Sequence, residues 1–437
     1  MSTIRQREDA EVSRTRLGCL LFGQGASLLG NQATAFVFSV WVLGSTKGVA
    51  TWSLILFCGY AAGALASFLT GPVLRRLGSR TLMLAACAGG ATASFALLAL
   101  HMTGALEPWM LVFTNTLAGA TIGVQDPAFI RLLLRLGGDG RATRLQGVAQ
   151  SLNALAFAAA PGLAAVLYET VGMRVVLCCD LVSFAVLALA VATTPDLPLA
   201  SAAEASAPGT TGERVGYRAL LRYRAYRRIV VVLTLANLFL GVRQNLRAPI
   251  VLGLSQDGTN VLAAVLTAGA VASVGGGFAL SLLRKQVPES LGLATAVVVS
   301  GIAGQALFGW GRGPALWIVA SVTVSALSPV ITSVGYTLSV TSLPEPLRSH
   351  GVAFARGCAA LALPASIGLA GPATAFLTTG ASAAGPQETA LSSARVMVAS
   401  GLLTAAVGAL AFLAARRSAR QPAPTTSASH PPTERAT

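Results

Sequence analysis

Five ionisable side chains lie inside long apolar segments of the chain, and they are the first candidates for chemistry. They are Asp126, Asp180, Arg243, Arg247 and Arg356. Ionisable groups are costly in hydrocarbon, so they usually face protein or a water-filled cavity. We therefore expect each of them to bind a polar ligand, to carry a proton or to pair with another polar group.

Two of the arginines share one face of a helix, because Arg243 and Arg247 are four residues apart. Arg243 lies near the middle of its apolar segment. At that depth it needs a carboxylate, carbonyl groups or a wet cavity. The alternative is that Arg243 pairs with Asp180 or with backbone, while Arg247 extends toward the membrane surface.

The carboxylates and amides also allow two interpretations each. Asp180 is a candidate for proton coupling or, alternatively, a satisfied residue in helix packing. Asp126 is followed by Pro127, and it could pair with Arg131 at the headgroups. Gln24 and Asn31 are seven residues apart, on nearly one helix face. A further amide, Gln32, adjoins Asn31. These amides are expected either to line a cavity or to form hydrogen bonds between helices.

Motifs for enzymatic chemistry are missing from the sequence. HExxH, GxSxG and Cys/His metal spacings do not occur, and the Gly-rich turn at 137–140 lacks the Lys-Ser/Thr of a phosphate-binding loop. The six cysteines all lie in apolar segments, as small buried hydrophobes would. We therefore predict no catalytic residue, no metal site and no cofactor, and we do not expect an enzyme.

The composition requires a lipid environment for these groups. Of 437 residues, 54% are hydrophobic and only 11% are charged, and the mean hydropathy is +0.68. Soluble domains carry about 25% charged residues. The net charge of +15 does not indicate nucleic acid, because the basic residues are spread over short loops between apolar segments.

Twelve apolar segments are each long enough to cross a bilayer as a helix, which takes about 20 residues. The predicted spans are 17–43, 51–73, 81–103, 108–130, 146–168, 174–194, 229–253, 260–283, 290–310, 314–337, 351–377 and 394–415. They give an arm at 1–16, a first six-helix bundle at 17–194, a basic linker at 195–228, a second bundle at 229–415 and a disordered tail at 416–437.

Positive charge predicts the orientation of the spans. Of the 31 Lys and Arg residues, 24 lie in the segments that share a side with the N-terminus, and only four lie in the opposite loops. Basic loops remain in the cytoplasm. We therefore expect a multi-pass protein of the cell membrane with both termini in the cytoplasm.

The two halves of the chain show a weak internal repeat. Segments 144–149 and 348–353 both follow the pattern Arg-x-x-Gly-Val-Ala, and they begin the fifth and eleventh spans. Pro161 and Pro364 then lie at nearly the same depth. Two six-helix halves joined by a basic linker are typical of a transporter whose halves rock against each other.

The turn between the second and third spans resembles a loop of the major facilitator superfamily. It reads Gly71-x-Val73-Leu74-Arg75-Arg76-x-Gly78-Ser79-Arg80. The family usually has Gly-x-Leu-Ala-Asp-Arg-x-Gly-Arg-Arg/Lys, so both glycines and two arginines match. Arg75 replaces the aspartate of the family, and Ser79 replaces the first of its two closing basic residues. The two glycines are also expected to let two helix ends approach closely.

Two further stretches resemble the drug, macrolide and siderophore exporter branch of that superfamily. They are Gly30-Asn31-Gln32 and Asp180-Leu-Val-Ser183-Phe184. Ala160-Pro161-Gly162 is similar to the Gly-Pro-rich motif of the exporters. Many proton-coupled exporters of the family carry an arginine in span four, four residues before a glycine, and here that position is Asn115.

The resemblance implies an all-α membrane protein with twelve transmembrane helices in two pseudo-symmetric six-helix bundles, around a cavity that opens alternately to each side. Its implied substrate-binding residues are Gln24, Asn31, Arg243, Asn245 and Arg356. Its implied gating residues are Gly71, Arg75, Arg76, Gly78, Arg80, Asp126, Pro161 and Gly162. In the superfamily an acid near the cytoplasmic end of span four often joins a charge cluster with the turn between spans two and three, so the resemblance implies that Asp126 pairs with Arg75, Arg76 or Arg80 and latches the cytoplasmic side in the outward-open state. Asp180 and Asp126 are the implied candidates for proton coupling.

The function implied is export of a small amphipathic molecule, such as a drug or a natural product, by a monomer in the lipid bilayer. Protons would drive it by antiport, and nucleic acid is not an expected partner. One alternative is an importer of a small organic anion, suggested by the arginines. A membrane-embedded enzyme and a non-transporting scaffold are the other two alternatives.

Overall fold

The structure is a computed structural model that describes residues 2–45, 48–137, 142–194, 217–282, 289–378 and 385–420. The described residues form twelve helices that are long and apolar enough to cross a membrane. We number them α1 (Ser2–Gly44), α2 (Gly48–Leu77), α3 (Ser79–Met102), α4 (Met110–Gly137), α5 (Ala142–Thr170), α6 (Met173–Ala192), α7 (Arg224–Leu254), α8 (Gly258–Leu282), α9 (Glu289–Trp310), α10 (Pro314–Thr341), α11 (Arg348–Thr378) and α12 (Pro386–Arg420). The predicted all-α fold with twelve spans is confirmed.

Several helices extend beyond the apolar segments that predicted them. Helix α1 begins at Ser2, although its membrane-compatible part begins only at Thr15. Helix α4 continues to Gly137, seven residues past the predicted end at 130. Hydropathy marks the depth of the membrane, whereas backbone hydrogen bonding continues into water until a helix-ending residue is reached.

The predicted linker is described only at its end. Residues 195–216 lie outside the described part of the chain, as do residues 421–437 of the predicted tail. A short helix, Tyr217–Leu221, precedes α7, which starts at Arg224 rather than at 229. The basic end of the linker is therefore helical.

The helices pack as two bundles of six with matching neighbours. In the first half α2 packs on α4, α1 on α6, and α3 on both α4 and α6. In the second half α8 packs on α10, α7 on α11 and α12, and α9 on α12. The halves meet where α2 packs on α11 and α5 packs on α8. Since α2 corresponds to α8 and α5 to α11, these two main contacts between the halves are equivalent.

Small residues let α2 and α4 approach closely. A Cβ atom on Gly119 would overlap the carbonyl group of Gly59, and one on Gly123 would overlap that of Gly63. Asn115, one turn away, donates a hydrogen bond from Nδ2 to the Ile55 carbonyl at 2.7 Å. Glycines at a spacing of four residues allow such backbone contact between membrane helices.

The equivalent pair in the second half, α8 and α10, also approaches closely at a glycine. A Cβ atom on Gly276 would overlap the carbonyl group of Ala326. Ser321 of α10 donates a hydrogen bond to the Val265 carbonyl at 3.0 Å, as Asn115 does to α2 in the first half. The predicted pseudo-symmetry is therefore visible in the polar contacts as well as in the helix order.

The two glycines of the turn between α2 and α3 have a different role from the predicted one. A Cβ atom on Gly71 would meet none of the described atoms, so the prediction of a close approach there is wrong. Gly78 precedes α3 with φ of 76°, a conformation that favours glycine. Gly78 is needed for the backbone of the turn, and the close approaches between helices lie deeper in the bundle.

Candidate functional site

A cavity of about 380 Å³ lies between the two bundles. Helices α1, α2 and α5 line it from the first half, and α7, α8 and α10 line it from the second half. The volume falls in the range of about 300 to 1,000 Å³ that is usual for small-molecule sites. Helices of both halves contribute in equal number, so rocking of the halves would change the shape of the cavity and its access.

The wall formed by α7 carries the positively charged side chains of the cavity. Arg243, Gln244 and Arg247 all line it. Arg243 is only 7% exposed, and its Nε atom has no hydrogen-bond partner among the described residues. Within the same part of the chain, the buried Oε1 atom of Gln244 has no partner either. Among the described residues that line this cavity there is no aspartate or glutamate, so the lining leaves the positive charges without a carboxylate partner.

The opposite walls carry neutral polar groups. Gln32 and Tyr60 face the cavity from the first half, and Ser273, Ser325 and Ser328 face it from α8 and α10. Hydroxyl and amide groups of this kind orient a polar ligand without adding charge.

A second chamber of about 480 Å³ adjoins the central cavity on the side of the first half. The two share lining residues on α1, α2 and α5, namely Gln32, Ala35, Trp52, Leu56, Tyr60 and Phe157. The second chamber is additionally lined by apolar side chains such as Phe38, Ile122 and Leu363. Its carboxylates are Asp126 and Asp180, and Asn31 also lines it.

Asp180 is almost completely buried between α1, α3 and α6. Ser94 of α3 donates a hydrogen bond to its Oδ2 atom at 2.6 Å. A Cβ atom on Gly30 of α1 would lie 2.6 Å from Oδ1, so α1 rests directly against this carboxylate. Ser183 donates to the backbone carbonyl of Asp180, also at 2.6 Å. Oδ1 of Asp180 has no hydrogen-bond partner among the described residues. The close packing agrees with the packing interpretation, and proton coupling by Asp180 stays a prediction.

Asp126 has a different environment from Asp180, because Asp126 is exposed and lines the second chamber. Helix α4 continues for eleven residues beyond it, to Gly137. Arg80 donates a hydrogen bond to the Ala192 carbonyl of α6 at 2.9 Å. Arg76 is exposed, and the side chain of Arg75 lies outside the described residues. The pairing of Asp126 with these arginines stays a prediction.

Asn245 ties the two halves together instead of facing the cavity. Its Nδ2 group donates to the Ser53 hydroxyl of α2 at 2.6 Å and to the Ile367 carbonyl of α11 at 3.1 Å. Its backbone carbonyl accepts a hydrogen bond from Trp52 Nε1 at 3.1 Å. Asn245 is fully buried, and we call this group the α7 tie.

The α7 tie lies toward the arginine-poor end of the bundle, the end that contains the connections between α1 and α2, α5 and α6, and α7 and α8. At the same end Asn260 of α8 donates to both carboxylate oxygens of Glu169 on α5, each at 3.2 Å. One apolar core there joins Phe36 and Trp52 of the first half to Leu246 and Ile250 of the second. The cavity is therefore closed at the arginine-poor end.

At the opposite end the halves have separate apolar cores. One core is built around Leu20, Met83 and Leu132 of the first half. Another is built around Tyr226 and Leu343 of the second half. Fewer contacts have to change for the halves to part at this end, which contains the arginine-rich turn between α2 and α3.

The remaining predicted site residues lie in several different places. Pro161 lines the central cavity, and a Cβ atom on Gly162 would lie 3.9 Å from the Thr267 hydroxyl of α8. Gln24 accepts a hydrogen bond from Gln125 Nε2 at 3.1 Å inside the first half. The Arg356 guanidinium lies over the Tyr336 ring, 5.4 Å from its centroid. Neither Gln24 nor Arg356 is among the described lining residues of the two chambers.

The sequence interpretation missed several lining residues. The predicted substrate-binding set does not include Tyr60, Gln244 and Arg247, although all three line the central cavity. A signal existed for the α10 wall, because Ser321, Ser325 and Ser328 recur at helical spacing on one face.

Comparisons with known proteins agree with this architecture. The family model described as Major Facilitator Superfamily matches residues 20–369. None of the curated proteins with which the chain was compared matches it.

Three solved structures illustrate the likeness of the fold. A bacterial homolog of the human lysosomal transporter Spinster, in an inward-facing and unoccupied conformation, is 13% identical with a TM-score of 0.68, over 94% of this chain and 99% of that chain. The nucleoside transporter NupG is 13% identical with a TM-score of 0.71, over 90% and 98%. An autoinhibited POT family peptide transporter is 10% identical with a TM-score of 0.67, over 92% and 97%. At such identities the likeness concerns the fold alone.

Proposed function

Since this chain belongs to the Major Facilitator Superfamily, we propose that it is a secondary active transporter that exports a small amphipathic molecule, such as a drug or a natural product. The observation that carries the proposal is the cavity of about 380 Å³ between the bundles, with three lining helices from each half. Such a cavity between two matched bundles is where transporters of this construction bind their cargo.

The proposed mechanism is alternating access by rocking of the two halves. Opening the arginine-poor end requires the α7 tie and the hydrogen bonds between Asn260 and Glu169 to break. The contacts of α2 with α11 and of α5 with α8 provide the surfaces about which the halves turn. Arg243 and Asn245 are two residues apart on α7, so cargo and closing contacts act on the same turn of one helix.

We assign the arginine-poor end to the outside of the cell membrane, with both termini in the cytoplasm. The imbalance of 24 to four basic residues supports this orientation. In it, the closed end is the outer one, and the conformation described here faces inward. We further propose that the chain works as a monomer in the bilayer.

Protons are the proposed energy source, because the sequence contains no nucleotide-binding motif. Asp126 is the better candidate for the coupling group. It is exposed and lines the second chamber, whereas Asp180 is held by Ser94. Exchange of Asp126 for asparagine would remove the titrating carboxylate while keeping the shape of the side chain.

Direction and coupling can be tested in everted membrane vesicles that contain the protein. We expect uptake of labelled amphipathic compounds into everted vesicles when the lumen is acidified, and we expect Asp126→Asn to abolish the dependence on the proton gradient. Asp180→Asn, in the same vesicles, serves as the matched carboxylate control. Uptake only by right-side-out vesicles would contradict export.

A second candidate function, import of a small organic anion, is favoured by the uncompensated arginines of the cavity. It predicts accumulation of the anion in whole cells and no uptake by everted vesicles. Uptake by whole cells, compared with uptake by everted vesicles, therefore separates the two candidates.

A further inference from the structure

We propose that the central cavity selects a cargo with one anionic head group and an apolar body, with the head group bound by Arg243 and Arg247. This inference rests on the proposed transport function, and it names the chemical class of the cargo. It also replaces the predicted substrate set, because Asn245 and Arg356 have other partners in the structure.

The first argument is an uncompensated charge. Arg243 is buried, its Nε atom lacks a partner, and the described cavity lining offers no carboxylate. Arginine remains protonated in proteins. A buried charge that lacks a partner is strongly unfavourable, so an anion from outside the protein is needed to complete the site.

The second argument is geometry. Arg243 and Arg247 are one helical turn apart, which places their Cβ atoms about 6 Å from each other, and both line the same cavity. Two planar guanidinium groups on one helix face can both donate to the oxygens of one carboxylate or phosphate. Gln244 follows Arg243 on α7 and also lines the cavity, so its side-chain amide is a further polar group near the head group.

The third argument concerns where the rest of the cargo lies. The second chamber adjoins the arginines through shared residues such as Leu56 and Phe157, and apolar side chains extend its walls. Its carboxylates, Asp126 and Asp180, repel an anionic group. Positive charge in one chamber and carboxylates in the other therefore fix the orientation, with the head group at α7 and the apolar body toward the first half.

Ligand binding to the purified full-length protein tests this inference. Trp52 lines both chambers, so its fluorescence reports on occupancy. The probes are benzoate, 4-phenylbutyrate and dodecanoate, each compared with its methyl ester, together with 4-phenylbutylamine and inorganic phosphate. We expect at least one carboxylate to bind about tenfold or more tightly than its ester and the amine, as loss of charge-assisted hydrogen bonds implies.

Variants locate the effect in the cavity. Arg243→Gln and Arg247→Gln are each expected to weaken carboxylate binding about tenfold while leaving ester binding unchanged. Arg243→Lys should retain part of the preference for carboxylate over ester, because lysine keeps the positive charge but cannot donate the paired hydrogen bonds of a guanidinium. Arg395→Gln removes an exposed arginine of α12 and is expected to change nothing. Size-exclusion profiles of all four variants show whether each one folds.

Three results would overturn the inference. The first is that esters or the amine bind as tightly as the carboxylates, or that none of the carboxylates binds. The second is that phosphate alone competes at equal concentration, which would assign the arginines to an inorganic anion. The third is a preference that persists in folded Arg243→Gln protein. Binding is measured without transport, so a specific anion site in a protein that moves nothing across vesicles would refute the proposed function and leave this inference standing.

Discussion

The two chambers hold opposite charges that have different surroundings. In the second chamber Oδ2 of Asp180 accepts a hydrogen bond from Ser94, and Oδ1, which has no hydrogen-bond partner among the described residues, lies against Gly30 of α1. In the central cavity Arg243 is buried, and the described lining residues include no carboxylate. A buried ionisable group that is packed and hydrogen-bonded inside one half serves the fold of that half, and one that lies at the interface of the halves without an opposite charge is available to a ligand.

The largest effect is expected at the wall of the second chamber. Gly119→Leu places a side chain where the Gly59 carbonyl lies, and backbone has little freedom to move. We expect loss of folded protein, measured as the monodisperse fraction after extraction in detergent. Gly71→Leu adds the same side chain where a Cβ atom meets none of the described atoms, so its folded yield should match the wild type. Equal yields from both variants would show that α2 and α4 are not in contact through these glycines.

The next effect separates function from folding in the central cavity. Arg243→Ala should reduce transport about tenfold or more, because the charge at the interface of the halves is lost. Its thermal stability should not fall, since the guanidinium has no carboxylate partner in the described lining. Transport and melting temperature are measured on the same preparations. Unchanged transport at unchanged membrane levels would remove Arg243 from the site.

Asp180→Ala should show the reverse pattern. The variant loses the hydrogen bond from Ser94, and polar contacts between membrane helices contribute about 0.6 to 1.7 kcal/mol. We expect a lower free energy of unfolding by about that amount in a denaturant titration, with transport per folded molecule retained. If the folded protein transports nothing, Asp180 has a functional role that its packing does not explain.

A smaller effect is expected at the α7 tie. Asn245→Ala removes the side-chain hydrogen bonds to Ser53 and to the Ile367 carbonyl, which favour closure of the arginine-poor end. A cysteine introduced at Gln32, which lines both chambers, should then react several-fold faster with a membrane-impermeant thiol reagent from that side. Asn153→Ala is the control, because the Asn153 amide donates a hydrogen bond to the Ala149 carbonyl of its own helix, α5. Equal rates of cysteine reaction in the two variants would show that the α7 tie does not keep the arginine-poor end closed.

The sequence predicts features that depend on neighbouring residues better than features that depend on residues far apart along the chain. Twelve spans follow from local apolar composition and length. The depth of Arg243 on α7 likewise indicates a wet or paired environment. The glycines of α2 and α4 were a missed local signal, since Gly59 and Gly63, like Gly119 and Gly123, are four residues apart.

Partners that are distant in sequence could not be predicted in this way. Asn245 is a polar amide inside a predicted span, as a cavity-lining residue would be. Its hydrogen-bond partners Ser53 and Ile367 are 192 and 122 residues away along the chain. Gln24 likewise pairs with Gln125, 101 residues away. Which side of a helix faces a cavity depends on how the bundles meet, and that arrangement is set by packing over many helices.

In the proposed mechanism the halves rock so that the cavity opens at one end as it closes at the other. Distances between pairs of spin labels measure this motion, on a background in which the six cysteines are replaced. One pair, at Met102 and Leu316, spans the arginine-poor end, and the other, at Leu77 and Thr341, spans the arginine-rich end. All four residues are exposed.

In membranes, Asn245→Ala is predicted to lengthen the first distance and shorten the second relative to the wild type. Distances that stay the same in both proteins, or that change at both ends in the same direction, would contradict alternating access by rocking of the halves.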